Sequence, residues 1–290
     1  MTVTDVNVVK SAIFERPDDA NKGTLGSLLC VCGSYGMAGA AVMSAKGALR
    51  TGIGLAKCAL PRSIYPIVAQ TILESVYYPL SENADGRISK VNVPFLVSES
   101  CKSSATLVGC GLGVCDDTLK IVFSLIENST TPLVLDADAL NCVAKQPEIL
   151  LRKKAPIIIT PHPGEMSRLT GLATPLVNAE RERVALDFAQ KYGVVTVLKG
   201  AGTVIASPNG KVLVNPTGNS GMATGGSGDV LAGTVASLVS RGINETVASA
   251  MAVYIHGLAG DIAKDKYGIE SVTASKVMEC IPCALRPVSY

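Results

Sequence analysis

Aromatic residues are scarce in this sequence, at 4% of its 290 residues, and tryptophan is missing altogether. Proteins that hold single-stranded nucleic acid stack bases on aromatic side chains. Charge is scarce too: 17% of residues are charged, and 26 basic against 24 acidic residues leave a net charge of +2. A nucleic-acid-binding domain shows a marked basic excess. We therefore expect no nucleic-acid partner.

Long uninterrupted apolar runs are also missing, although the mean hydropathy of +0.35 is high. The longest uncharged stretch near the start, residues 23–45, is broken by glycine, serine and tyrosine into a strand, a turn and the start of a helix. A membrane-spanning helix needs about 20 predominantly apolar residues. The polar first ten residues lack the apolar centre of a signal peptide. The sequence predicts a cytoplasmic protein without a membrane partner.

The nine cysteines show no disulfide framework, because their number is odd and their spacing irregular. Cys30, Cys32 and Cys110 lie in apolar runs, where cysteine usually acts as a small hydrophobic residue. Cys280 and Cys283 form a C-x-x-C pair, which supplies only two of the four ligands of a structural zinc site. We expect reduced thiols, as is usual in the cytoplasm.

One local pattern recurs along the chain: a short β-branched or aliphatic run ends in a loop of glycine or polar residues. The five clearest runs are residues 28–32, 105–108, 132–135, 157–159 and 194–198. Helical patterns, such as residues 38–50 and 178–192, lie between them. Alternating strands and helices predict an α/β protein with a mostly parallel central sheet covered on both faces. Ligands of such sheets bind beyond the carboxyl ends of the strands, where all five loops would lie.

The most informative segment is residues 215–233, NPTGNSGMATGGSGDVLAG. Its glycines at 225, 226 and 228 allow a tight turn before an apolar helix predicted over residues 230–240, so that backbone N–H groups can bind phosphate. Asp229 in the first helical turn is either an ordinary cap or a catalytic base that accepts a hydroxyl proton during phosphoryl transfer. A carboxylate repels a bound phosphate, so its presence at a phosphate-binding turn favours the interpretation of Asp229 as a catalytic base. We expect the helix dipole to lower the pKa of Asp229.

Two common nucleotide-binding motifs are missing. No Gly-Lys-Ser/Thr occurs, which excludes a Walker A loop. The run GCGLG at residues 109–113 lacks the third glycine of a dinucleotide fingerprint, since Asp116 takes its place. The same run is weakly similar to a methyltransferase glycine loop, but that interpretation leaves the GGSGD segment unused.

The segments that identify a family are GSYGMAGAAVMSAKGALRTGIG, ITPHPGEMSRL, VLKGAGTVIA and NPTGNSGMATGGSGDVLAG. Together, in order and at compatible spacing between about residues 26 and 264, they resemble the NAD(P)H-hydrate dehydratase family of the ribokinase-like superfamily. The resemblance implies a three-layer α/β/α ribokinase-like fold in a single domain over residues 1–290. Larger family members carry an additional N-terminal epimerase domain. Some 25 residues precede the first strand here, so we expect that domain to be absent.

The activity implied by this resemblance is the repair of damaged nicotinamide cofactor by a carbon–oxygen lyase. The (6S) hydrate of NADH or NADPH is dehydrated at the expense of a nucleotide. Stand-alone bacterial members use ADP and release AMP and phosphate, although the sequence leaves ADP and ATP open. The resemblance also implies Mg²⁺ as cofactor and a homo-oligomer, often a tetramer.

The resemblance assigns roles residue by residue. Asp229 is the catalytic base and also touches the hydrate. The hydrate pocket is lined by Ala40, Gly113 and His162. The nucleotide is held by Lys199, Gly200, Ala201, Gly202, Thr203 and Gly228. Glu165 arranges water around magnesium.

Alternatives remain for the function and for several side chains. A kinase of the same superfamily, acting on hydroxyethylthiazole or hydroxymethylpyrimidine, would share the GGSGD segment but release a phosphorylated product. A non-catalytic nucleotide sensor would gain nothing from Asp229. Asp136 and Asp138 either hold magnesium or include a cap for the following helix, and Lys46 and Arg50 reach either phosphate or solvent. We expect His256 to be a packed, hydrogen-bonded side chain rather than a ligand.

Overall fold

The computed structural model describes residues 18–286, and the polar N-terminal ten residues lie outside this range. Nine strands form one sheet in the order β3-β2-β1-β4-β5-β6-β7-β8-β9. The strands are β1 (Ser27–Val31), β2 (Leu55–Pro61), β3 (Val76–Leu80), β4 (Ala105–Val108), β5 (Leu133–Leu135), β6 (Ile157–Ile159), β7 (Val195–Leu198), β8 (Val204–Ala206) and β9 (Val212–Val214). Neighbours from β3 to β7 pair in parallel, and β8 and β9 are added antiparallel.

The sheet is covered by helices that follow most of its strands. The helices are α1 (Ala38–Arg50), α2 (Tyr65–Thr71), α3 (Val93–Cys101), α4 (Asp116–Asn128), α5 (Asp138–Val143), α6 (Pro163–Thr170), α7 (Thr174–Ala179), α8 (Arg181–Tyr192), α9 (Ser227–Ser240), α10 (Glu245–Tyr267) and α11 (Ala274–Ala284). Short 3-10 turns occupy Lys90–Asn92, Pro147–Arg152, Ser220–Met222 and Ile269–Ser271.

Two hydrophobic cores lie on opposite faces of the sheet because successive strand side chains point to opposite sides. Leu28 and Cys30 pack under α1, α9, α10 and α11. Leu29 and Val31 pack under the helices from α3 to α8. All residues of β4 and β7 are buried, as expected for strands covered on both faces. The predicted three-layer α/β fold with a mostly parallel sheet is confirmed.

Element boundaries follow the sequence pattern in most places and depart from it in two helices. The helix predicted over residues 178–192 is two helices, since the chain leaves helical geometry at Glu180 (φ −125°, ψ 41°). The helix predicted over residues 230–240 starts earlier, at Ser227. Asp229 lies within the first turn, as predicted.

Two glycines fix the position of α9 against α1. A Cβ atom at Gly233 would overlap the carbonyl oxygen of Ser44, and one at Gly47 would lie 2.7 Å from the carbonyl oxygen of Val230. The two backbones can approach closely only because these side chains are missing. This contact holds the start of α9 at the carboxyl edge of the sheet.

The long helix α10 is the one helix within residues 18–286 whose length and apolar composition would allow it to cross a membrane. In its most apolar 18-residue window, 67% of the residues are buried inside the molecule. It packs against α9 and α11. We conclude that α10 is a core helix of the fold.

Candidate active site

The five polar loops predicted from the sequence meet at one edge of the sheet. Their strands, β1, β4, β5, β6 and β7, are consecutive parallel neighbours, so their carboxyl ends lie side by side. Backbone bonds tie the loops together: the Gly33 N–H donates to the Cys110 carbonyl at 2.8 Å, and the Lys199 N–H donates to the Pro161 carbonyl at 2.8 Å. The predicted convergence of these loops is confirmed.

Helix α9 starts at this edge without a side-chain cap. Its N-cap residue is Gly226, in the left-handed region (φ 88°), where glycine is favoured. The first turn consists of Ser227, Gly228 and Asp229. Because no side chain caps the helix, its first N–H groups are open to an anionic ligand.

The Asp229 carboxylate lies in a cluster with Cys110 and Asp136. One ligand atom from each residue falls within 4.8 Å of the other two. Burial raises the pKa of Asp229 to about 6, and repulsion from Asp136 adds to this shift. The expectation of a lowered pKa is wrong, because loss of water and a neighbouring like charge outweigh the helix N-terminus. A carboxylate with this pKa can accept a proton near neutral pH.

Lys199 supplies the positive charge of the site. Its Nζ lies 2.7 Å from Oδ1 of Asp136 and 3.8 Å from Oε2 of Glu165. Burial alone would lower the pKa of Lys199, but the two carboxylates raise it above its usual value. The Cα of Gly228 is close enough that a Cβ there would lie 3.3 Å from Nζ. The ammonium group therefore lies beside the start of α9.

His162 and Glu165 cap helix α6 reciprocally. Nδ1 of His162 accepts from the N–H groups of Gly164 and Glu165, at 3.0 and 3.3 Å. Oε2 of Glu165 accepts from the N–H of His162 at 2.7 Å. Burial, followed by the nearby Lys199, lowers the pKa of His162, so at neutral pH its ring is uncharged, with Nδ1 as an acceptor. Burial raises the pKa of Glu165.

A cavity of about 850 Å³ opens between the start of α9 and the loops after β7 and β9, a size typical of small-ligand sites. All six predicted nucleotide-binding residues line it: Lys199, Gly200, Ala201, Gly202, Thr203 and Gly228. His162 also lines this cavity, as does the segment 215–220. The structure therefore brings His162, predicted for the hydrate pocket, next to the predicted nucleotide residues.

The other two residues predicted for the hydrate lie in a different part of the edge. Ala40 is only 8% exposed, and its methyl group contacts Gly111 so closely that a Cβ at Gly111 would lie 2.7 Å away. The Gly113 N–H donates to Oδ2 of Asp138 at 2.8 Å, and the side chain of Arg87 covers Gly113. Neither residue forms an open wall. The open surface in this region lies at Gly36 and Gly39, where an added Cβ would meet no atom within 4 Å.

Asp136 and Asp138 do not cap the helix that follows, so that alternative is wrong. The N-cap residue of α5 is Ala137, with no side-chain bond. Oδ1 of Asp136 instead accepts from Oγ1 of Thr160 and from Lys199, both at 2.7 Å. Ala137 has a positive φ of 48°, a strained conformation of the kind found at functional sites. The strained turn directs the two carboxylates to different partners.

The remaining sequence candidates have definite surroundings. His256 is 7% exposed, its Nε2 lies 3.5 Å from Oγ of Ser227, and burial lowers its pKa to about 4, so it is a packed, neutral side chain. Arg50 is exposed at the last residue of α1, about 18 Å along the helix from its first residue at 1.5 Å per residue. It faces solvent. Lys46 is half-buried, one turn earlier.

Sequence reasoning missed three residues of the site: Cys110, Thr160 and Arg181. Cys110 was assigned only to an apolar run. The guanidinium of Arg181 donates from Nη2 to the carbonyls of Leu198 and Lys199, at 2.8 and 3.1 Å, and so holds the start of the 199–203 loop. No local motif marks Arg181 in the sequence, because it acts on backbone atoms 17 and 18 residues away.

Comparison with known proteins places these observations in a family. The family model described as NAD(P)H-hydrate dehydratase matches residues 28–283. The bifunctional NAD(P)H-hydrate repair enzyme of Thermofilum pendens is 41% identical over 271 residues, which are 93% of this chain and 52% of that enzyme. The chain thus spans about half the length of the bifunctional relatives it matches.

Two further relatives match over most of their length. The ADP-dependent (S)-NAD(P)H-hydrate dehydratase of Neisseria meningitidis serogroup B is 34% identical over 257 residues, covering 88% of this chain and 82% of that protein. The crystal structure of the ADP/ATP-dependent NAD(P)H-hydrate dehydratase from Bacillus subtilis, co-crystallised with ATP/Mg²⁺, superposes with a TM-score of 0.82 at 30% identity. It covers 95% of this chain and 94% of that one.

Proposed function

This chain belongs to the NAD(P)H-hydrate dehydratase family, and from that premise we propose that it dehydrates the (6S) hydrate of NADH or NADPH at the expense of ADP or ATP. With ADP the products are NAD(P)H, AMP and phosphate. The observation that carries the proposal is the position of Asp229. Its carboxylate, with a pKa of about 6, lies at an uncapped helix start beside Lys199 and a nucleotide-sized cavity.

The first step is phosphoryl transfer to the ring hydroxyl of the hydrate. The hydroxyl oxygen attacks the terminal phosphorus of the nucleotide, the bond from that phosphorus to the bridging oxygen breaks, and AMP leaves when ADP is the donor. Asp229 accepts the hydroxyl proton as the new bond forms. The N–H groups of Ser227 and Gly228 and the ammonium of Lys199 stabilise the charge that spreads over the transferring oxygens.

The second step is loss of phosphate from the ring. Hydroxide is a poor leaving group, whereas the phosphate ester departs readily with the bonding electron pair. The lone pair of the ring nitrogen assists this departure, and the departing phosphate accepts a proton from the neighbouring ring carbon, which restores the dihydropyridine.

Mg²⁺ would be held at this site through water and the nucleotide phosphates. Carboxylate oxygens are its preferred protein ligands, and Asp136 and Glu165 provide them at the same edge. Oδ1 of Asp136 and Oε2 of Glu165 already accept hydrogen bonds from Thr160, Lys199 and the His162 N–H. We propose that Glu165 contacts the ion through water. When bound, Mg²⁺ would neutralise phosphate charge.

The hydrate is assigned to Ala40, Gly113, His162 and Asp229, and the nucleotide to residues 199–203 and Gly228, within a single ribokinase-like domain. Ala40 is buried and Arg87 covers Gly113. We therefore propose that Ala40 and Gly113 act indirectly, by shaping the neighbouring open surface around Gly36 and Gly39. A cytoplasmic location and a homotetramer are part of the same proposal.

The test is a direct assay with purified protein. Hydrated NADH is incubated with ADP or ATP in the presence of Mg²⁺, and the return of dihydropyridine absorbance is followed, together with release of AMP or ADP and phosphate. We expect one phosphate per NADH restored. The small-alcohol kinase alternative predicts the opposite pattern, with nucleotide consumed only in the presence of hydroxyethylthiazole or hydroxymethylpyrimidine and hydrated NADH left unchanged.

A further inference from the structure

One wall of the cavity, the segment 215–222, lies across the surface of helix α10. This segment connects β9 to the GGSGD turn, and its residues 215–220 and Met222 line the cavity. The segment contains only one short 3-10 turn, Ser220–Met222. Its conformation therefore depends on what holds it from outside.

The segment packs closely against α10 at two glycines of the helix. A Cβ atom at Gly257 would overlap Oγ1 of Thr217, and a Cβ atom at Gly260 would overlap Sδ of Met222. Oγ1 of Thr217 also donates to the Tyr254 carbonyl of the same helix at 3.0 Å. Positions 254, 257 and 260 follow one another at intervals of three residues, so they share one face of the helix.

Asp261 of the same helix binds the segment with both oxygens of its carboxylate. Oδ2 accepts from the backbone N–H of Gly218 at 2.9 Å, and Oδ1 accepts from Nδ2 of Asn219 at 2.9 Å. Oδ1 of Asn219 in turn accepts from the Gly221 N–H at 3.1 Å. One carboxylate thus holds Gly218 and Asn219 directly and Gly221 through Asn219. Hydrogen bonds to a charged acceptor are stronger than neutral ones.

We propose that Asp261 is a positioning residue for the nucleotide co-substrate: it fixes the 215–222 wall in the shape that receives ADP or ATP. This inference rests on the proposed nucleotide-dependent function. Asp261 does not line the cavity, and it acts through Gly218 and Asn219, which do. Without it, the nucleotide must order the wall on binding, and that cost lowers its affinity.

Asp261→Ala and Asp261→Asn test the proposal, with Asp265→Ala as matched control. Asp265 lies one turn later on α10, and its side chain is 77% exposed, with Oδ1 3.7 Å from Nζ of Lys264. In Asp261→Asn one amide group faces two donors, so one of the two bonds is lost. The measurements are the Kd of ADP by calorimetry, kcat, the KM of each substrate, and Tm.

Loss of both charge-assisted bonds should raise the Kd of ADP about tenfold or more in Asp261→Ala, and loss of one about threefold in Asp261→Asn. We expect kcat at saturating ADP and the KM of the hydrate to change less than twofold. Asp265→Ala should leave all these quantities unchanged. If Asp261→Ala does not fold, the graded effect of Asp261→Asn decides.

Two results would overturn the inference. One is a Kd of ADP within twofold of the wild-type value in a folded Asp261 variant. The other is a parallel loss of kcat, both substrate affinities and Tm, which marks a general structural role. A wild-type protein that binds neither ADP nor ATP in the calorimeter contradicts the proposed function itself, so the wild type is measured with both nucleotides before any variant is compared.

Discussion

The part of the carboxyl edge proposed to bind the nucleotide (the nucleotide half) and the part proposed to bind the hydrate (the hydrate half) are built differently. In the nucleotide half, a cavity of about 850 Å³ is already formed. Residues outside the cavity hold its two flanking loops by hydrogen bonds. Arg181 donates to the carbonyls of Leu198 and Lys199, and Asp261 accepts from Gly218 and Asn219. In the hydrate half, Ala40 is buried, and an open surface extends over Gly36 and Gly39.

This difference indicates where each kind of specificity resides. A preformed cavity with side chains fixed by hydrogen bonds favours one ligand shape and loses little entropy on binding. An open surface of small residues allows a large ligand to approach the backbone. The charged groups, Asp229, Asp136 and Lys199, lie at the boundary between the two halves. Chemistry at the boundary and binding on either side should therefore be separable by mutation.

The largest expected effect is at the boundary itself. Asp229→Asn removes the proton acceptor while keeping the size of the side chain, so kcat should fall about a hundred- to ten-thousand-fold. The Kd of ADP should stay within about threefold of wild type, since the residues assigned to the nucleotide are not altered. Steady-state absorbance and calorimetry measure both quantities. Asp265→Asn serves as the control, and near-normal turnover in Asp229→Asn would remove the base from the mechanism.

The next largest effect concerns the Lys199–Asp136 pair. Lys199→Met leaves the Asp136 carboxylate, 2% exposed, without its cation, and breaking a buried pair in this way costs about 3–5 kcal/mol of unfolding free energy. Urea unfolding measures the loss. Asp136→Asn combined with Lys199→Met removes both charges and should recover most of it. An unchanged single variant would show that Lys199 does not stabilise the boundary.

Two glycine substitutions should separate the halves. Gly228→Val adds bulk beside Nζ of Lys199, the nearest atom at 3.3 Å from the new Cβ, and should raise the KM of ADP about ten- to a hundredfold. Gly39→Phe adds bulk where no atom lies within 4 Å, and should raise the KM of the hydrate by a similar factor. Each variant should leave the other KM within about twofold. The comparison between halves fails if both variants affect the same substrate.

The sequence predicted those elements whose formation depends on residues that are close together in the chain. β4 and β6 and helix α1 follow from continuous apolar runs and an alanine-rich segment, and the predicted bounds match those observed. β2, interrupted by Lys57, and β3, which is only partly buried at the sheet edge, carry no such pattern. Their pairing comes from the neighbouring strands.

The site was predictable to the same extent. The GGSGD turn and the 199–203 loop are contiguous motifs, and the structure brings both to one cavity. The pKa of Asp229 was not predictable, because it depends on burial and on Asp136, 93 residues away in the chain. The same holds for Arg181 and Asp261, whose partners are backbone and side-chain atoms of other elements. Long-range contacts, unlike motifs, leave no local signature.

The smallest expected effect is a gain in stability that accompanies the loss of activity. The folded-state pKa of Asp229, about 6, lies above its ordinary value of 3.8. Its contribution to stability is therefore fully present below pH 3.8 and is lost as the pH rises through about 6. Asp229→Asn stays neutral at every pH and avoids this loss, so at pH 7 it should be more stable than wild type, by at most about 3 kcal/mol for a shift of about two pKa units. At pH 3.5 the difference should vanish. His256, whose pKa is lowered to about 4, destabilises the fold as the pH falls below 6.5, but it does so in both proteins and cancels in the comparison. Urea unfolding at the two pH values measures the difference. An Asp229→Asn variant that is less stable than wild type at pH 7 would show that the folded protein does not destabilise the charged form of Asp229.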